Sequence, residues 1–153
     1  MSAEERLQEL GMTLPPPNAP VAAYVPGVIA GRFLFTAGQT PRKDGKLAFT
    51  GKLGTDLSVE EGKEAARLCA LSCLAIIREM AGSLDRVERV VKVNGFVNAA
   101  PDFTDHPQVI NGASELLEQI FGEAGRHARA ATGCVSLPGN AACEVEMIVQ
   151  LKD

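Results

Sequence analysis

The spacing of apolar positions changes several times along the chain, and each change marks an element. Ser2 can cap a short helix whose Leu7 and Leu10 form one stripe before Gly11. Leu14-Pro15-Pro16-Pro17-Asn18-Ala19-Pro20 lacks the backbone donors that a helix or central strand needs, and reads as an extended connector. β-branched and aromatic residues over 23–29 and 32–37 flank Gly31, which predicts two strands joined by a tight turn. Residues 42–46 form a polar hairpin loop, with a short third strand near 47–50. Ser58 and Glu61 have capping-box spacing, so a long helix should follow to about Met80, with Gly82 ending it. From Leu68 to Ile77 this helix is almost wholly apolar, and Leu71 and Leu74 fall on the face that a surface helix leaves wet. Cover on more than one side is therefore expected.

The next strand runs over 86–98, with Val87, Val91, Val93 and Val97 on one side. A loop over 99–107 leads to a helix over 109–121, whose inward stripe is Ala113, Leu116, Leu117, Ile120 and Phe121. Two neighbouring strands close the chain, 127–137 and 142–151, joined through Pro138-Gly139-Asn140. In the last, Cys143, Val145, Met147, Val149 and Leu151 face one way and Glu144, Glu146, Ile148 and Gln150 the other. The order β-β-β-α-β-α-β-β makes an α+β domain, with two main helices on one face of a mixed sheet. Residues 1–20 are a short helix and connector, and 21–153 a single domain.

At 153 residues the chain suits one ordinary domain. A formal charge of −4 disfavours tight nonspecific binding to nucleic acid or anionic membranes. The first residues lack the basic start and apolar stretch of a secretory signal, and no apolar run is long enough to span a bilayer, so a soluble cytoplasmic protein is expected. Cys69 and Cys73 sit one helical turn apart, while Cys134 and Cys143 lie in neighbouring predicted strands. The only histidines, His106 and His127, adjoin neither pair, so no metal site is expected and the thiols read as buried small hydrophobes. A Cys134 to Cys143 cross-strand bridge is the alternative. There is no phosphate-binding glycine loop, dinucleotide fingerprint or nucleophile elbow, and no cofactor is expected.

Candidate chemistry gathers in the last quarter of the chain. Arg129 opens a strand after a glycine-containing loop, where its planar fork of donors can hold a carboxylate in two parallel bonds. A surface or interface salt bridge is the other reading. Glu144 and Glu146 share one side of the final strand, as a wet sheet face would also require. Tyr24, the only Tyr, serves either structure or a pocket wall. Gly38 permits close backbone approach, and Asn111 either caps the second main helix or enters a pocket.

Five blocks occur in an order that resembles the RidA/YjgF family of imine deaminases. They are Tyr24-Val25-Pro26-Gly27-Val28, Phe35-Thr36-Ala37-Gly38-Gln39, Asn111-Gly112-Ala113, Ala128-Arg129 with Leu137-Pro138, and Glu144-Val145-Glu146. The resemblance covers about residue 24 to the C-terminus. It implies a chorismate-mutase-like fold and a homotrimer with helices outside, sheets facing the threefold centre and a site in each intersubunit cleft. It also implies cofactor-free hydrolysis of small 2-imino or enamine acids to 2-keto acid and ammonia. Arg129 would hold the substrate carboxylate and Glu144 assist water attack, with Tyr24, Gly38 and Asn111 binding substrate. Some relatives carry an endoribonuclease label, so hydrolysis of single-stranded RNA is one alternative; a non-catalytic trimer that binds a small carboxylate is another. The chain departs from the family pattern at Ala131, where many relatives have a reactive Cys, and at Ala22-Ala23, where Gly-Pro is usual. The loop before Asn111 is longer, through His106-Pro107-Gln108, and Ser114 and Leu116 stand where aromatic residues are common.

Overall fold

The computed structural model describes residues 1–20 and 22–153; Val21, the first residue of the expected domain, lies outside the described residues. Helix α1 (Ala3–Glu9) is followed by the connector, then β1 (Gly27–Ala30), β2 (Phe33–Thr36) and a small hairpin of β3 (Arg42–Lys43) and β4 (Lys46–Leu47). The main elements follow as α2 (Val59–Ala81), β5 (Val87–Asn98), α3 (His106–Phe121), β6 (Ala128–Cys134) and β7 (Cys143–Leu151). The five-stranded sheet has the order β1-β2-β7-β5-β6, in which only β5 and β6 are parallel. The mixed sheet and its helix layer are the α+β architecture expected.

Local chemistry fixes the helix ends. The Ser58 hydroxyl accepts from the Glu61 amide at 3.2 Å and the Glu61 carboxylate accepts from the Ser58 amide at 3.1 Å, while Gly82 closes α2 in the left-handed region. Ser2 and Glu5 make the same reciprocal pair on α1. Helix α3 begins three residues before the expected 109, because Pro107 fits a first helical turn, where its missing donor has no cost. Asn111 is therefore interior to α3 and does not open or cap it.

The core lies between the helices and one sheet face. Leu34, Val90, Val93, Val97, Val145, Met147 and Val149 from the sheet join Cys69, Cys73, Leu74, Leu116, Leu117 and Ile120 from the helices. Each of the aliphatic and Met side chains among them contributes about 1.5–3 kcal/mol through burial. Leu71 and Leu74 are both covered, and Leu7 and Leu14 belong to the same cluster, so the N-terminal segment is part of the core. Leu10, expected in the α1 stripe, is exposed. Burial pushes the Cys73 thiol up to about 12, a value the Thr36 hydroxyl only partly offsets, and Cys69 is raised as well. Cys69, Cys73 and Cys143 are buried small hydrophobes, and Cys134 is half-buried.

Several expectations are corrected. Residues 42–46 are not merely a loop: they supply β3 and the first residue of β4, with Asp44 and Gly45 at positive φ in the turn, and the expected strand at 47–50 is reduced to Leu47, which completes β4, and a bridge from Thr50 to Ala141. Strand β1 starts at Gly27, leaving Tyr24 before it. In β5 two register shifts make Val90 the buried residue and leave Val91 half-buried. Strand β6 ends at Cys134 and pairs with β5, not with β7. Because β5 separates Cys134 from Cys143, a bridge between them is ruled out.

The N-terminal helix is held by Glu4. Its carboxylate accepts from Arg78 at 2.7 and 3.1 Å and from the Leu84 amide at 2.9 Å. Burial alone would raise its pKa, but the Arg78 fork and the Leu84 and Ser83 donors outweigh burial and hold it below the usual value. The stability this carboxylate contributes is present above the unfolded pKa and is lost as pH falls through the lower folded one. Urea titrations of Glu4→Gln should show a loss on the order of 1–2 kcal/mol at neutral pH that shrinks in acid. A loss of equal size at every pH would contradict the assignment.

Candidate functional site

The site residues expected from the sequence fall into two groups. In the first, Arg129 sits on edge strand β6 opposite Val93, so its side chain lies on the helix-facing side. Its Nη1 donates to Asn111 Oδ1 at 2.8 Å and to Ser114 Oγ at 3.1 Å, both on α3. These bonds use both Nη1 hydrogens. Among the described residues nothing accepts from Nε or Nη2, and no carboxylate lies in salt-bridge range of the guanidinium. The side-on edge of the fork is thus left to meet a carboxylate. The guanidinium lines a cavity of about 220 Å³ with Ser114, Glu118, Arg126 and His127.

The second group is Tyr24, Gly38 and Glu144. Between the pairs Phe35–Ile148 and Gln39–Val145 the register slips by one residue, and the extra residue falls at Ala37-Gly38. The Thr36 hydroxyl takes up the Met147 amide beside the slip, at 3.1 Å. This turns Gly38 against Glu144: a Cβ on Gly38 would lie 2.6 Å from Glu144 Oε2. Tyr24, Gly38 and Glu144 line a cleft of about 480 Å³ with Gln39, Arg42 and Asn18. Gln39 is buried, donating to the Gly38 carbonyl at 3.2 Å and accepting from Asn18 at the same distance.

Glu144 is half-buried and makes no ion pair among the described residues. Burial, and after it the Glu146 carboxylate, push its pKa above the usual range. A raised carboxyl favours folding while protonated, so this contribution is present in acid and lost as pH rises through the folded pKa. If Glu144 handles a proton, the acid limb of kcat/KM reports that raised pKa. Glu146→Gln should move the limb to lower pH in a steady-state profile; an unmoved limb would assign it to another group.

The two groups do not meet within one chain. Arg129 stands level with Met147 across β5, while Glu144 is three residues further along, so strand spacings put their Cα atoms about 14 Å apart. They also face opposite sides of the sheet, since Val93 beside Arg129 is buried and Glu144 alternates with buried Cys143 and Val145. The expected pairing of a cation on one strand with a carboxylate on the next is therefore corrected: β5 lies between them. Asn111 joins Arg129, and Tyr24 and Gly38 join Glu144. Reasoning from sequence missed Ser114 and His127 beside Arg129, and Gln39 and Arg42 in the cleft. Ser114 had a usable signal, standing three residues after Asn111 on the same helical face.

Among the described residues no three His, Cys, Asp or Glu side chains gather closely enough to hold a metal ion, and no helix is long and apolar enough to cross a membrane. A family profile described as "YjgF/chorismate mutase-like, putative endoribonuclease" matches residues 4–151. Protein TCP17 of Trypanosoma cruzi is 48% identical over 148 residues, which span 96% of this chain and 92% of that protein. The crystal structure of Atu1372 from Agrobacterium tumefaciens superposes with a TM-score of 0.91 at 46% identity, over 98% of this chain and 92% of its own. A "putative endoribonuclease" from Shewanella oneidensis MR-1 gives a TM-score of 0.96 at 38% identity, over 99% and 100%. With the profile spanning nearly the whole chain and these folds superposing end to end, the chain belongs to the YjgF/chorismate-mutase-like family.

Proposed function

We propose that the protein is a hydrolytic deaminase of small 2-imino and enamine acids that works as a homotrimer, each site built from two protomers. The observation that carries this reading is half-buried Arg129: neutral partners fix its guanidinium, no carboxylate among the described residues neutralises it, and its side-on edge is open. An apolar row on the open sheet face, Val28, Phe35 and Ile148, favours cover by another copy. Such docking would bring the β6 edge of one protomer to the cleft of the next. Arg129 and Asn111 would then face Tyr24, Gly38 and Glu144.

In that composite site Arg129 grips the substrate carboxylate and places the C=N carbon beside a water. Glu144 takes a proton from the water as its oxygen attacks the carbon, giving a carbinolamine. Glu144 returns the proton to nitrogen, and as the C–N bond breaks it takes up the hydroxyl proton while the oxygen closes to the keto C=O, releasing 2-keto acid and ammonia. The raised pKa of Glu144 suits both halves of this shuttle. An imine is already electrophilic, so orientation and proton transfer suffice.

The test is a coupled assay with 2-iminopropionate generated in situ, following pyruvate release. Acceleration over the buffer rate supports the reading; an unchanged rate at micromolar protein refutes it. RNA cleavage, the activity in the family description, is scored on single-stranded RNA with Arg129→Ala as the control for contaminating nuclease.

A further inference from the structure

Behind Arg129 the structure holds a hydrogen-bonded chain whose far end can titrate. His127 Nδ1 lies 2.7 Å from the Gly125 carbonyl oxygen, which can only accept, so Nδ1 carries the ring proton. In the neutral ring Nε2 is then an acceptor, and the Ser114 hydroxyl 2.9 Å away donates to it. With its hydrogen so placed, Ser114 Oγ turns its lone pairs to Arg129 Nη1 at 3.1 Å. One orientation of every group satisfies the whole chain.

We propose that His127 is a positioning residue: acting through Ser114, it fixes which edge of Arg129 faces a ligand, and protonation of its ring withdraws that edge. A protonated ring makes Nε2 a donor. Ser114 would then receive hydrogens from two neighbouring cations that repel each other, so the Arg129 contact weakens. Burial, opposed by the Gly125 carbonyl bond and reinforced by Arg129, lowers the His127 pKa and keeps the ring neutral near neutral pH. The charged groups lining the same cavity as the imidazole are Arg129 on β6, Arg126 just before that strand and Glu118 on α3. Glu118 is exposed and is the one carboxylate among them, so Glu118→Gln is the control for a carboxylate effect.

The consequence for carboxylate capture rests on the role proposed above for Arg129, but the relay can be read without any ligand. In ¹⁵N NMR of the free protein, the Arg129 Nε–H signal should move along the same curve as the His127 ring nitrogens, and Ser114→Ala should abolish the movement. With pyruvate as probe, calorimetry should show Kd rising about tenfold as pH falls from about 7.5 to about 5, the scale of one lost hydrogen bond to a charged group. In His127→Gln, which keeps an acceptor but cannot protonate, the same ratio should stay within about twofold, and Glu118→Gln should retain the wild-type ratio. An Arg129 signal indifferent to His127 titration overturns the relay, as does an identical pH dependence in His127→Gln and wild type. Failure of pyruvate to bind at any pH while the Arg129 signal tracks His127 would leave the relay standing and refute the ligand reading.

Discussion

Replacing Arg129 by Ala is expected to lower kcat/KM for 2-iminopropionate about a thousandfold, or ~4 kcal/mol, as when one partner of a desolvated charge pair is truncated. The loss should reach both terms: KM rises because the carboxylate loses its anchor, and kcat falls because the C=N carbon is no longer held against the water. Arg129→Lys should recover only a small part. An ammonium restores the charge but not the side-on pair of Nε and Nη2 donors, and it cannot also bond Asn111 and Ser114 in the same geometry. Circular dichroism should find both variants folded, since Arg129 makes no ion pair among the described residues. Full turnover in folded Arg129→Ala would remove Arg129 from the chemistry.

Gly112→Ala is expected to cost the most stability. Gly112 lies where α3 crosses α2, and an added Cβ would fall inside the van der Waals shell of the Lys63 carbonyl oxygen. Lys63 is in α2 and its carbonyl is backbone, so no side chain can swing away. The helices must separate, disturbing the layer that buries Ile110, Leu116 and Leu117. A penalty of about 3 kcal/mol or more follows from overpacking at a rigid contact. For a chain of this length that is a fall in Tm of about 6–12 °C by calorimetry. Because Asn111 and Ser114 flank the crossing, the surviving folded fraction should also bind pyruvate more weakly. A Tm within about 2 °C of wild type would show that the helices can part cheaply, against the packing argument.

What the sequence disclosed and what it hid have distinct physical reasons. Ser58 with Glu61, Gly82 and the strict alternation through β7 were legible because each depends on groups a few residues apart. The β5 bulges were not, since they exchange one buried valine for its neighbour without altering composition. Strand order is a long-range property, yet one part of it follows from connectivity. The succession β5, α3, β6 is a strand-helix-strand crossover, which favours β5 and β6 as parallel neighbours. The outer edge of β6 stays open to β7 under that rule, and it is the pairing of β7 with β5 that keeps Arg129 and Glu144 off adjacent strands. The Gly38–Glu144 approach arises from a register slip between distant strands, while the contact of Ser114 and His127 with Arg129 depends on how α3 lies against the β6 edge.

The separation of Arg129 from Glu144 by a strand and by the thickness of the sheet makes assembly the decisive question. Subunit mixing asks it directly: Arg129→Ala and Glu144→Gln proteins, each inactive alone, are unfolded together in equal amounts, refolded, and assayed on 2-iminopropionate. If every site takes its guanidinium from one copy and its carboxylate from the next, random assembly gives both intact groups at about one interface in four, and about a quarter of wild-type activity should return. A mixture that forms oligomers yet stays as inactive as its components would contradict a site shared between protomers.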